Sequence, residues 1–89
     1  MIERRQTVYN RGDTPLMIFT EPEGQDYWLH PGESLEIHAT ITDLNANFEI
    51  ALHEEGMSVY PPHEMGYISV WCDNEELHVG HQRPAGWCE

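Results

Sequence analysis

Apolar and polar residues alternate with a period of two along most of this chain. Leu35, Ile37 and Ala39 alternate with Ser34, Glu36 and His38. Phe48, Ile50 and Leu52 alternate with Asn47, Glu49, Ala51 and His53. Ile68, Val70 and Cys72 alternate with Tyr67, Ser69 and Trp71. Successive side chains of a strand point to opposite faces, so these runs predict strands with one face buried and one exposed. A helix needs apolar residues at three- and four-residue spacing, and no window of useful length shows that.

Turn residues punctuate the runs. Asn10-Arg11-Gly12-Asp13 separates a strand near 5–10 from one near 14–20. Glu21-Pro22-Glu23-Gly24 separates that strand from one at 25–30. In His30-Pro31-Gly32-Glu33, proline pre-sets φ at the second position and glycine accepts positive φ at the third, which predicts a type II turn. Further breaks fall at Thr42-Asp43-Leu44-Asn45, Glu54-Glu55-Gly56, Pro61-Pro62 and Asp73-Asn74. Seven to eight short strands at a spacing of about ten residues predict an all-β fold, a small antiparallel β-sandwich of the immunoglobulin or cupredoxin kind. Strands joined by short turns are expected to pair mostly antiparallel. The sandwich is expected to span residues 1–82, and 83–89 to form an irregular tail.

The run Asn10-x-Gly12-x-x-Pro15-Leu16, then Glu21-Pro22-x-Gly24, then Leu29-x-Pro31-Gly32-Glu33 resembles a group of small, uncharacterised bacterial β-sandwich proteins. Asp73-Asn74-Glu75-Glu76-Leu77 looks like their closing hairpin. The likeness covers about half the chain. It is made of turn and core positions, so it implies a fold and carries no functional residue.

Length and charge narrow the function. Eighty-nine residues make one thin-cored domain. The net charge is −12, from sixteen acidic residues against four arginines and no lysine. That balance nearly excludes nucleic-acid binding, which needs cations to displace phosphate counterions, and argues against an anionic membrane surface. It favours solubility, basic partners or cation binding. The missing lysine rules out Schiff-base and P-loop lysine chemistry. No apolar run follows the first six residues, and no stretch approaches a membrane span, so the expected location is cytoplasmic. Cys72 and Cys88 are too few for a disulfide framework; a bridge between them would pin the tail, whereas in a reducing cytoplasm both are expected as thiols.

Four constellations are candidates for chemistry. The first is aromatic. If Val70 and Leu29 point inward, then Tyr67, Trp71 and Trp28 point outward, and Tyr9, Phe19 and Tyr60 fall on the same less apolar phase. Trp28, Tyr60, Tyr67 and Trp71 therefore form the expected binding surface, for a protein partner, a second copy or a sugar. The plain alternative is that loops cover some of them. The second is histidine with acids: His30, His38, His53, His63, His78 and His81. His78-x-x-His81 with Cys88 is the tightest set for a transition metal, which needs three or four converging ligands. His38 and His53 sit on polar phases and are expected as possible cross-strand neighbours. The plain alternative is solvated polar-face residues, or pH sensing without a metal. Third, Arg11-Gly12-Asp13 matches an integrin-binding tripeptide but sits where a turn needs those residues. Fourth, the acidic runs at 53–56 and 73–76 lack the calcium-loop pattern and fit exposed turns.

Nucleophilic catalysis has little to draw on. Ser34, Ser58 and Ser69 lie in strand patterns without a nucleophile elbow, and Cys72 lies on a buried phase. The leading expectation is thus a non-catalytic protein-interaction or accessory module with an exposed aromatic and acidic sheet face. The runner-up is a metal-binding protein using surface histidines with acids or cysteine. A small hydrolase or isomerase has no motif behind it. An acidic mimic of nucleic acid needs its carboxylates lined up on one face.

Overall fold

A computed structural model describes residues 2–21, 24–62 and 68–78 of the chain. Eight strands follow in order: β1 (Ile2–Tyr9), β2 (Leu16–Thr20), β3 (Gln25–Leu29), β4 (Ser34–Ile41), β5 (Glu49–His53), β6 (Gly56–Tyr60), β7 (Ser69–Cys72) and β8 (Glu75–Leu77). They form two four-stranded sheets packed as a sandwich, in the orders β1-β4-β7-β8 and β3-β2-β6-β5. No helix occurs among the described residues. The expected tail at 83–89 lies outside them.

The β2–β3, β5–β6 and β7–β8 connections stay within one sheet, and the β1–β2, β3–β4, β4–β5 and β6–β7 connections cross between sheets, among them the short turn at 30–33. The hairpins β2–β3, β5–β6 and β7–β8 are antiparallel, as short turns require. β1 skips its successor and pairs with β4 over eight positions, from Ile2↔Ile41 to Tyr9↔Ser34. The second sheet departs from the antiparallel expectation in one place. Its two hairpins lie side by side through β2 and β6, and that pair is parallel.

The alternation sorts as expected in most strands. Leu35, Ile37 and Val70 from the first sheet meet Ile18, Leu29 and Val59 from the second, each at most 2% exposed. Their burial between two facing sheets is the main stabilising term, at roughly 25 cal/mol per Å² of apolar surface removed from water. β5 is the exception. Every residue of it is exposed, including Ile50 and Leu52, which alternation assigned to the core.

Turn chemistry accounts for the links. Glu33 N donates to His30 O at 3.0 Å and Gly32 has φ +84°, so the type II turn stands as expected. Asp73 and Asn74 have φ +51° and +66°, which closes the β7–β8 hairpin with two left-handed residues. Asn10 is a buried keystone. Its side-chain amide donates to Thr14 O and Leu29 O, both at 2.9 Å, and its side-chain oxygen accepts from Gly12 N at 2.8 Å. Its backbone accepts from Gly32 N and donates to Glu33 O. The loop containing Arg11-Gly12-Asp13 is thereby tied to the type II turn, which gives that tripeptide a structural reason.

Candidate functional site

The outer face of the first sheet carries the densest polar cluster. Opposed residues of antiparallel strands share a face, so Arg5, His38 and Ser69 form one row, and Thr7, Glu36, Trp71 and Glu76 the next. His38 lies flat against Trp71, with ring centroids 5.0 Å apart and planes 15° from parallel. Its Nε2 contacts Glu36 Oε1 at 2.5 Å, and its Nδ1 lies 3.6 Å from Glu3 Oε1. That Nδ1 is buried without a hydrogen-bond partner. Trp71 Nε1 donates to Ser69 Oγ at 2.9 Å, which fixes the indole over the imidazole. Arg5 Nε donates to Glu3 at 2.7 Å. This hydrogen bond and the charge of Glu3 hold the guanidinium still more firmly protonated than usual, and Glu36 adds to the effect.

This cluster is built for rigidity more than for chemistry. The His38 side chain is 7% exposed, so the ring cannot reach a substrate as acid or base. Glu3 and Glu36 flank opposite nitrogens of His38, so the three do not converge on one point. Beside Trp71 lies an open cleft of about 260 Å³, lined by Thr7, Ser34, Glu36, Asp73 and Asn74 among others. That is below the roughly 300–1,000 Å³ of small-molecule sites.

The outer face of the second sheet holds the other aromatics. Trp28 is half-buried and donates from Nε1 to Asp26 Oδ2 at 3.0 Å. Phe19 and His53 approach to 5.4 Å between ring centroids, and Ser58 Oγ lies 3.3 Å from His53 Nε2. That Ser–His contact sits on an open strand surface, not in a cleft.

The expected binding surface is therefore divided. Trp71 lies on the outer face of one sheet, and Trp28 and Tyr60 lie on the outer face of the other, so the core separates them. Tyr67 lies outside the described residues. His38 and His53 also fall on opposite sheets and are not neighbours. Alternation had grouped these residues as one outer face because it cannot say to which sheet a strand belongs. His78 is exposed, 3.8 Å from Glu76, while His63, His81 and Cys88 lie outside the described residues. Among the described residues, no three His, Cys, Asp or Glu side chains group as metal ligands. Cys72 is buried, as alternation implied, and it is disulfide-bonded, the alternative to the thiol expected of a reducing cytoplasm.

The feature that sequence reasoning missed is β5. It ends the second sheet, with β6 on one side and no described strand on the other. Ile50 is 42% and Leu52 78% exposed. Edge strands present unpaired backbone groups, and proteins blunt them with charge, brevity or cover. β1 carries Glu3, Arg4 and Arg5, and β8 is three residues long. β3 buries Tyr27 and Leu29 on its inner face. Among the side chains described on these four edges, β5 alone presents exposed large aliphatic ones. Only its flanking Glu49 and His53 carry polarity.

No family model, no curated protein and no solved structure matches this chain. Among the described residues, no helix is long and apolar enough to cross a membrane.

Proposed function

We propose that this domain is a non-catalytic protein-interaction module, and that its binding element is the open edge of β5. The observation that carries the reading is Leu52, 78% exposed beside Ile50 on a strand edge with no described neighbour. An extended segment laid along this edge gains main-chain hydrogen bonds and covers both side chains, the recognition mode of strand addition. The net charge of −12 favours segments with basic residues between apolar ones. The disulfide at Cys72 favours an oxidising surrounding over the cytoplasm for the folded domain.

Isotope-labelled protein titrated with a capped five-residue peptide of alternating arginine and valine tests this. The expected result is amide shifts centred on 49–53, lost in Leu52→Lys. That substitution is at an exposed position and leaves the fold within about 0.5 kcal/mol. No shifts, or shifts centred on β1 or β3, would overturn the reading.

A further inference from the structure

Resting on that reading of the β5 edge, we infer that its occupant is the β5 of a second copy, in an antiparallel two-fold pairing centred on Ala51. The argument is the strand's self-complementarity. In a two-fold antiparallel pair, residue i opposes j and j opposes i. The register that uses all five residues sets Ala51 against Ala51, Ile50 against Leu52, and Glu49 against His53 of the second copy. Apolar meets apolar twice and acid meets base twice, with the smallest side chain on the axis.

The geometry of the faces agrees. Glu49, Ala51 and His53 share one face with Tyr60, Ser58 and Gly56, while Ile50 and Leu52 share the other with Val59 and Met57. Opposed residues in this register have the same parity, so the two-fold axis runs perpendicular to the sheet. All four aliphatic side chains then fall on one side, where they cover each other. Two second sheets become one continuous sheet of eight strands, since each contributes four with β5 at its end. The Glu49–His53 pairs lie on the opposite side at cross-strand distance. Among the described strands no other edge offers this match: β1 carries four consecutive polar residues, Glu3 to Gln6, β3 would set Gln25 against Leu29 about Tyr27, and β8 has three positions.

The test uses the full chain in sedimentation velocity over a concentration series. Wild type is expected to show a reversible monomer–dimer equilibrium. Glu49→Lys alone sets lysine against His53, and His53→Glu alone sets two acids against each other. Two cross-strand acid–base pairs are altered in each case, so the dissociation constant is expected to rise between about two-fold and about thirty-fold. Mixing the two variants in equal amounts restores the dimer, because the introduced lysine then faces the introduced glutamate while His53 of one chain faces Glu49 of the other. A wild type that stays monomeric at the highest soluble concentration, or a mixture no tighter than its components, would overturn the inference. The peptide titration separates the two levels. If β5 shifts appear in a protein that does not dimerise, the edge reading stands and the second copy falls. If neither is seen, both fall.

Discussion

Replacing Gly56 with alanine should damage the seam on which the second sheet depends. Gly56 opens β6 opposite Met17 of β2, the parallel pair that joins the two hairpins. A Cβ added there falls on the carbonyl oxygen of Met17 and lies 2.8 Å from both its C and its N. All three are backbone atoms, so no rotamer change relieves the collision. They are held in place because Met17 N donates to Glu55 O at 2.9 Å, one residue away. Gly56 also has φ +155°, which side chains disfavour. Overpacking by one carbon costs about 1–3 kcal/mol. An unfavourable backbone conformation adds about 1–3 kcal/mol. With rigid backbone on the other side, the upper parts of both ranges apply, or about 4–6 kcal/mol. A domain of 89 residues has a total stability of about 4–13 kcal/mol. Gly56→Ala is thus expected to remove much or all of it. Urea denaturation followed by tryptophan fluorescence measures the change. Gly32→Ala is the control, since φ there is +84° but nothing lies within 4 Å of an added Cβ, so only the conformational cost of about 1–2 kcal/mol remains. If Gly56→Ala loses no more than Gly32→Ala, the close approach of β2 and β6 is not what holds the sheet.

Asn10→Ala removes two donated bonds and one accepted bond from a residue 1% exposed, so a loss of about 2–4 kcal/mol is expected in the same assay; under 1 kcal/mol would mean the loop does not depend on it. Trp71→Ala uncovers His38 and breaks the stacked pair, with an expected cost of about 2 kcal/mol, and an unchanged midpoint would refute the structural role of the cluster. Asn74→Gly keeps φ +66° without a Cβ and is expected to raise stability by about 0.5 kcal/mol; a lower melting temperature would contradict the turn geometry. Reduction of the disulfide at Cys72 should lower stability by about 2–4 kcal/mol, read as a shift of the urea midpoint with and without reductant, and coincident curves would show that the bond carries no load.

Much of the fold was legible before any coordinates. Period-two alternation located the strands, because a pleated backbone must send neighbouring side chains to opposite faces. Pro31-Gly32 specified its turn because proline fixes φ and glycine alone accepts the next one freely. The charge and the missing lysine set expectations about partners, which the fold does not test. None of this depends on which strand lies beside which.

What only the tertiary structure decided is what depends on those neighbours. Trp28 and Trp71 have the same phase in sequence, yet the strand order places them on opposite sides of the sandwich. His38 read as a solvated polar-face residue, but Trp71 from a neighbouring strand covers it. Asn10 read as a turn residue and is a buried anchor, because it lies between two loops far apart in sequence. Ile50 and Leu52 alternate as faithfully as Leu35 and Ile37, and one pair is exposed while the other is buried. Alternation records the side of a strand on which a residue lies. It does not record whether a second sheet reaches across to cover that side. At β5 the described residues leave it open, and that is where the functional proposal now rests.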